Sequence, residues 1–298
     1  MHLTAREGHH RAGPFLGAAL VVVSCLGVQA SAALASTLFD RLGTPAVAGL
    51  RQLCAALVLL VLVRPRIRGR TRAQWSGIAV YGAAMAAMNV AYYGAVDRLP
   101  LGVAATLLFL GPFAVAVASA RIWREALVPA AGLAGVVLVT RPGGAPAWAG
   151  IAFGLLSALA LALYTVFAQR VGRASSGLDG LALAVGVSAL LLLPFSAPAT
   201  PDMTGSDWGL IALSGLIGVA LAFTLDFLAV RIATAKVVAT LFSLDPVMGA
   251  LVGAVALAET LSAPVLAGMG LIISAGATAT WRAGAAPSGD GGRPLTGR

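Results

Sequence analysis

VVATLFSLDP, which occupies residues 237–246, repeats an earlier stretch of the chain, VAATLLFLGP at residues 103–112. The two stretches are identical at six of ten positions and are separated by a constant offset of 134 residues. Glu125 and Glu259 are separated by the same offset, so the likeness extends beyond these ten residues. Because shared Thr, Pro and Glu do not arise from apolar composition alone, the sequence predicts two related halves.

The composition excludes a soluble globular protein. Hydrophobic residues make up 59% of the 298 residues and charged residues 10%, whereas about a quarter of the residues in a soluble domain are charged. The mean hydropathy is +0.93. The net charge of +9 does not indicate nucleic-acid binding, because the basic residues lie between apolar runs and not on one face. We therefore expect an all-α protein that crosses the lipid bilayer many times.

Apolar runs that are long enough to cross a bilayer, about 20 residues each, recur ten times. The predicted spans are residues 14–35, 45–63, 75–96, 99–119, 125–140, 148–169, 178–196, 207–230, 235–256 and 262–281. The first run also resembles a signal peptide, since Arg6 and Arg11 precede its apolar core and Ala30-Ser31-Ala32 supplies small residues for cleavage. We favour a span, because it gives each half five spans.

The basic residues lie mainly on one side of the predicted spans. Sixteen fall in the N-terminus, in segments 64–74, 120–124, 170–177 and 231–236, and in the C-terminal tail, against three on the opposite side, Arg41, Arg98 and Arg141. Because positively charged loops stay in the cytoplasm, both termini are predicted to be cytoplasmic. Nineteen of the twenty basic residues are Arg, which with abundant Ala and Gly indicates a GC-rich bacterial genome; with the family resemblance given below, we expect a multi-pass protein of the bacterial inner membrane.

The two halves are predicted to enter the membrane in opposite senses. They comprise residues 14–140 and 148–281, between a tail of residues 1–13 and a disordered tail of residues 282–298. An odd number of spans per repeat inverts the second copy relative to the first. Inverted repeats of this kind place a substrate site near the membrane midplane, where the halves meet.

Asp245 is the ionisable residue of the repeated stretch, at the position where the first copy has Gly111. It lies nine residues beyond Lys236, about 13 Å into the membrane at 1.5 Å per residue. A carboxylate at that depth costs roughly 2.5–3.5 kcal/mol, so we expect it to face an aqueous cavity or a partner. The alternative is a structural acid, held by Arg51 or Ser243.

Both copies of the repeated stretch end in a proline, Pro112 in the first and Pro246 in the second. A proline inside a helix removes one backbone donor and frees a carbonyl, here that of Leu108 or Phe242. We predict that the two prolines act as hinges.

Two further charged residues lie inside predicted spans. Asp226 is placed to carry a proton or to meet an ammonium group, or alternatively to pair with Arg231 or Lys236. Arg51 stays charged at any working pH. It either holds a substrate carboxylate or neutralises Asp245 or Asp226, and both interpretations are open.

Uncharged polar residues in the spans are candidates for the wall of a central cavity. They are Gln29, Ser31, Asn89, Tyr92, Tyr93, Thr106, Tyr164, Gln169, Thr224 and Thr240. Asn89 and Tyr93 are four residues apart and share a helix face. With Tyr164 they are predicted to form a wall suited to a small zwitterion, and Gln29 is assigned to the same cavity, although any one alone is more often a contact between helices.

Signatures of enzymes and metal sites are missing from the sequence. It contains no HExxH and no P-loop motif. The three histidines precede the first apolar run, and the two cysteines, Cys25 and Cys54, lie inside apolar runs. We therefore predict no metal site, no cofactor and no disulfide. A carboxylate pair of Asp226 and Asp245 is the one enzyme-like arrangement left open.

Six stretches of the chain carry a likeness to a known family. They are QASAALASTLF (29–39), GTPAVAGLRQ (43–52), MNVAYYGAVDRLPLGVA (88–104), LFLGPFAVA (108–116), FSLDP (242–246) and AETLSAP (258–264). On these, residues 14–281 resemble the drug/metabolite transporter superfamily, specifically its ten-span EamA-type transporters, and are similar to the bacterial threonine/homoserine exporter type. The chain departs from that type before Pro112, where leucines stand in place of an expected acid.

The resemblance implies a proton-coupled exporter of small amino acids such as threonine or homoserine, which works by alternating access. Asp226 or Asp245 would carry the proton, and Arg51 would help to shape the cavity. Efflux of drugs or hydrophobic amines is the alternative, favoured by the scarcity of fixed charge in the spans. An intramembrane enzyme and a passive channel are further alternatives. The expected partners are a small-molecule substrate, protons and lipid, and a homodimer is left open.

Overall fold

A chain that crosses a bilayer must satisfy its backbone hydrogen bonds internally, which favours helices throughout. The computed structural model describes residues 7–118, 147–174, 178–232 and 244–283, together with Ala134, Gly135 and Leu138. Every regular element of these residues is helical. Large apolar side chains such as Leu62 (75% exposed) and Val255 (79%) cover the outside. The protein is therefore an all-α membrane protein.

The described chain forms eleven α-helices. They are α1 (Glu7–Ser36), α2 (Phe39–Leu42), α3 (Thr44–Val63), α4 (Arg72–Val96), α5 (Leu101–Ala118), α6 (Trp148–Ala174), α7 (Asp179–Ser196), α8 (Gly205–Gly215), α9 (Ala222–Ile232), α10 (Asp245–Ala256) and α11 (Ala263–Ala283). A 3₁₀ turn, Ala197–Asp202, follows α7, and a π-helical segment, Leu216–Leu221, joins α8 to α9.

The helices coincide with predicted spans to within a few residues. Among the described residues, five stretches have the length and hydropathy of a membrane span: Leu16–Ser36, Thr44–Val63, Trp148–Gly172, Asp179–Asp202 and Gly205–Asp226. Most of the predicted fifth span, 125–140, and residues 235–243 of the ninth lie outside the described residues. The count of ten spans and the cytoplasmic termini stay predictions.

Helices of the predicted first half pack mainly against helices of the second. α1 lies against α9 and α10, α3 against α7 and α8, and α4 against α6 and α7. α5 lies against α6, α10 and α11. The surface between the halves therefore runs through the middle of the molecule, and polar residues of these helices meet there.

The contact between α5 and α6, a helix of the second half, depends on Gly111. A Cβ atom at this position would overlap the carbonyl oxygen of Ala158 in α6. Close approach of two helix backbones needs a small residue at the crossing point. Packing thus explains why the first copy of the repeated stretch has a glycine where the second has Asp245, because an acidic side chain would not fit beside α6.

Candidate functional site

α1 carries the polar residues around which the candidate site forms. Cys25 and Gln29 are four residues apart and share one face of the helix, and both are almost completely buried, Gln29 at 0% exposure. Ser31 lies two residues further on, so it points to a different face. α1 therefore presents one polar group toward α4 and α10 and another toward α3 and α8.

The first of these faces holds a hydrogen-bonded chain of three side chains. Gln29 Nε2 donates to Asp245 Oδ2 over 2.7 Å, and the Tyr92 hydroxyl donates to Gln29 Oε1 over 2.9 Å. The acid predicted to need a partner has one, and α1, α4 and α10 supply the chain together.

Asp245 and Pro246 begin α10, with the proline in the first turn of the helix. The backbone N–H that proline lacks is unpaired at that position in any helix, so proline is favoured there. Pro246 thus lies at a helix start within the ninth predicted span, while Phe242 lies outside the described residues. Pro112 differs, because α5 continues through it to Ala118. Their role as hinges stays a prediction.

The second face of α1 holds Arg51. This guanidinium is 4% exposed, and its Nη2 donates to Ser31 Oγ at 2.8 Å and to the Ser214 carbonyl at 3.3 Å. Its Cζ lies 4.9 Å from the centre of the Tyr93 ring. Nε has no hydrogen-bond partner. The cation is thus held by neutral groups of α1, α4 and α8, with one donor unused.

The proposed ion pair between Arg51 and Asp245 or Asp226 is wrong for this structure. Among the described residues, Arg51 makes no ion pair with either acid. The reason is the helical period: Gln29, which binds Asp245, and Ser31, which binds Arg51, are two positions apart and point to different sides of α1.

Asp226 lies on α9 beside Ser24 of α1. Its Oδ1 has no hydrogen-bond partner. Both intramembrane acids thus face α1 within two turns of each other, on the sides where Ser24 and Cys25 project. No hydrogen bond joins the two carboxyls in the described part of the chain, and the side chains of Arg231 and Lys236 lie outside it.

The predicted wall of Asn89, Tyr93 and Tyr164 does not form as one surface. Tyr164 packs on Tyr81, with 4.9 Å between ring centres, whereas Tyr93 packs on Phe39 at 5.1 Å. Tyr81 and Tyr93 are twelve residues apart on α4, about 18 Å by helix rise. Asn89 Nδ2 donates to the Met85 carbonyl of its own helix.

Several residues of the site did not stand out in the sequence. Ser214 donates to the Ser31 carbonyl at 2.9 Å and offers its own carbonyl to Arg51. Gly218 lies so close that a Cβ there would overlap Ser31 Oγ and Arg51 Nη2. A serine or glycine in an apolar helix is too common to signal such a contact. The π-helical segment after Ser214 is typical of functional sites, but no sequence pattern predicted it.

Two contacts join the halves at one end of the molecule. Arg41 of α2 forms an ion pair with the buried Asp207 in the first turn of α8. Glu259, in the loop before α11, accepts hydrogen bonds from the Leu101 backbone N–H at 2.9 and 3.1 Å. Burial raises the pKa of Glu259, and the N–H of Leu101 opposes that rise. By the predicted orientation this end is periplasmic.

Among the described residues, no group of three or more His, Cys, Asp or Glu side chains is arranged to hold a metal ion. The site instead offers one partly buried carboxylate bound to an amide, one buried cation with an unused donor, and the rings of Tyr92 and Tyr93. A carboxylate and a guanidinium are the side chains that bind an ammonium group and a carboxylate group, respectively.

Comparison with known proteins gives a consistent result. The model of the EamA-like transporter family matches residues 148–280. The threonine/homoserine exporter RhtA of Escherichia coli (strain K12) is 29% identical over 273 residues, 88% of this chain and 91% of the exporter. The protein PA1977 of Pseudomonas aeruginosa is 33% identical over 261 residues, 82% of this chain and 88% of its own.

A solved crystal structure resembles the chain in fold. It superposes with a TM-score of 0.61 and covers 90% of this chain and 98% of its own, at 19% sequence identity. At that identity the likeness shows the fold alone.

Proposed function

The chain belongs to the EamA-like transporter family of the drug/metabolite transporter superfamily, and from this premise we propose that it exports small amino acids of the threonine and homoserine kind. It is a multi-pass transporter of the bacterial inner membrane. The exporter RhtA, similar over 88% of this chain, supports the substrate class. The chemistry of the residues between the halves supports it independently.

The observation that carries the proposal is the partly buried Asp245–Gln29–Tyr92 chain, together with Arg51, which lies against the ring of the neighbouring Tyr93. An amino acid carries an ammonium and a carboxylate group. In this proposal Asp245 receives the ammonium group and Arg51 the carboxylate, because a guanidinium matches carboxylate geometry. Ionisable residues inside a membrane are costly and mark substrate pathways.

Proton antiport follows from the two acids that face α1. When the substrate leaves, a carboxylate that takes up a proton becomes neutral. It stays neutral while the empty carrier returns, so no unpaired charge is buried. Asp245 is bound to Gln29, and Asp226 has an oxygen without a partner. We assign the proton to Asp245 or Asp226, with export driven by proton entry.

Alternating access is the movement that this arrangement serves. The candidate residues come from both predicted halves, residues 14–140 and 148–281, and inverted repeats rock against each other around a site between them. Pro112 and Pro246 are proposed hinges of that movement. A homodimer is compatible with it and is not required.

The experiment is export of labelled threonine or homoserine from vesicles that contain the full chain under an imposed pH gradient. We expect transport that follows the gradient, that is lost in the Asp226→Asn, Asp245→Asn double variant, and that persists in an Asp97→Asn control. Asp97 lies just after α4 and pairs with Arg98. Full gradient-driven transport in the double variant would refute the coupling.

Efflux of hydrophobic amines is the second candidate. It is favoured by the aromatic cluster of Tyr164, Tyr81 and Phe223, with ring centres 4.9 and 6.3 Å apart, since aromatic faces attract cations. Cells that express the protein separate the two: resistance to toxic amino-acid analogues supports the first function, and resistance to cationic dyes supports the second.

A further inference from the structure

A groove of about 420 Å³ lies between the start of α4 and the end of α6, away from the residues considered above. Its walls are largely apolar, with Ile78 and Val80 on α4 and Phe167 and Val171 on α6. Ser76 and Arg170 add polar groups at its rim. Val80 is 41% exposed, so the groove opens to the outside of the helices, where the bilayer lies.

Positive charge surrounds one end of this groove. The Arg170 guanidinium lies over the Phe167 ring at 5.1 Å, and five arginines precede or begin α4 in the segment RPRIRGRTR, residues 64–72. Asp179 at the start of α7 anchors that segment, since its Oδ2 accepts from the Arg66 backbone N–H at 3.2 Å and lies 3.5 Å from Arg70 Nη2. Asp179 thus pairs with Arg70, and the segment carries four further arginines.

We propose that this groove binds an anionic phospholipid of the cytoplasmic leaflet, with its phosphate at Arg170 and one acyl chain along α4. The apolar wall from Ala73 to Val80 rises about 10 Å along the helix axis, a depth that suits part of an acyl chain. Free phosphate has no acyl chain to cover that apolar wall, and a zwitterionic lipid has no net negative charge to match the excess of arginine. Basic pockets between membrane helices on the cytoplasmic side are suited to anionic headgroups.

Binding would also join the two halves, because α4 belongs to the first and α6 to the second. The lipid would then stabilise the packing of α4 on α6 that this structure has. This role is independent of the transported substrate, so it can be tested separately from the function proposed above.

The test measures binding of short-chain phosphatidylglycerol and phosphatidylcholine to the purified full chain, by native mass spectrometry and by the lipid-induced shift in Tm. We expect the wild type to prefer phosphatidylglycerol. Arg170→Ala should weaken that binding roughly fivefold, the loss of one basic contact at a membrane surface. The matched control is Arg98→Ala, since Arg98 lies over Phe153 at the same 5.1 Å at the other end of α4.

A second pair of variants tests the apolar wall. A Cβ at Gly77 would stand 3.6 Å from Val171, an ordinary contact, so Gly77→Leu is expected to fold and to fill the groove. Gly172 has open space around it and is not part of the groove, so Gly172→Leu is the control. Gly77→Leu should abolish the preference for phosphatidylglycerol, and Gly172→Leu should keep it.

The proposal is overturned if the wild type binds both lipids equally, if inorganic phosphate alone produces the same Tm shift, or if Arg170→Ala and Arg98→Ala behave alike. If Gly77→Leu does not fold, the two arginine variants still decide the question. Transport assays of the same variants show whether the proposed export depends on the lipid.

Discussion

Arg51 is a permanent cation that the described residues leave without a carboxylate partner. A buried charge is stable only when it is paired or well hydrogen-bonded, and here Ser31, Ser214 and the Tyr93 ring supply partial compensation. The Nε of Arg51 has no hydrogen-bond partner and keeps a donor for an anion. This is the feature expected of a residue that receives its counter-ion from a substrate.

Arg51→Lys tests that role, because lysine keeps the charge but not the planar guanidinium. We expect the apparent KM for threonine or homoserine export to rise about tenfold, equivalent to ~1.4 kcal/mol. Arg98→Lys, which changes an arginine over a phenylalanine ring away from the site, should alter KM less than twofold. An unchanged KM in Arg51→Lys would contradict the carboxylate role.

Gln29 permits a second test, because the chain contains a matched buried amide. Gln29 and Gln52 are both 0% exposed, and Gln52 Nε2 donates to Ser188 Oγ at 3.0 Å, outside the site. Replacement of either by Ala should lower stability similarly, by roughly 1–3 kcal/mol for a buried group left unpaired. Transport, measured in vesicles, should fall at least tenfold only in Gln29→Ala. Equal loss of transport in both variants would show that Gln29 has only a structural role.

At the scale of elements, Gly111 shows why the two copies of the repeated stretch differ. The sequence places Asp245 where the first copy has Gly111. The structure adds a steric cause, because α5 touches the Ala158 carbonyl of α6 at this glycine. A side chain there would force the helices apart, whereas Asp245 lies at a helix start beside the amide of Gln29.

Gly111→Ala is therefore expected to destabilise the protein by about 1–3 kcal/mol, the cost typical of overpacking. The measurement is the Tm of the purified protein in detergent. Gly172→Ala is the control, because nothing lies within 4 Å of a Cβ at Gly172 and alanine favours helix. A Tm for Gly111→Ala as high as that of the control would show that α5 and α6 are not in close contact there.

Hydropathy predicted the helices well, because the length of an apolar run and the thickness of a bilayer are directly related. It did not predict which residues meet. Tyr164 was grouped with Tyr93 but lies beside Tyr81. For Arg51 the sequence left open a substrate carboxylate or an acid of the chain as its partner, and did not indicate Ser31. The rotation and axial position of one helix against another depend on side-chain packing, which a pattern of apolar residues does not contain.

For the whole molecule, the surface between the halves decides which side of the membrane reaches the site. At one end Arg41 binds Asp207, and Glu259 binds the N-terminus of α5. Each contact joins the first half to the second, so both must break if the halves separate there. By the predicted orientation, this structure has its periplasmic end closed.

Cross-linking tests this closure. In an active background without Cys25 and Cys54, Arg41→Cys and Asp207→Cys together should allow a short bis-methanethiosulfonate reagent, which forms a disulfide with each thiol and releases methanesulfinate, to join α2 to α8. Export should then stop on cross-linking and return on reduction, whereas each single cysteine variant should stay active under the same treatment. Undiminished export by the cross-linked protein would show that this end does not open during transport.

The π-helical segment Leu216–Leu221 has a consequence for how the chain tolerates change in length. A π turn contains about one residue more than an α turn, so Ser214 before it and Asp226 after it keep their present directions only with that extra residue in place. Deletion of one residue would rotate everything downstream by about 100° and carry Asp226 away from α1. Along this stretch the number of residues is therefore constrained, as well as the small size of Gly218.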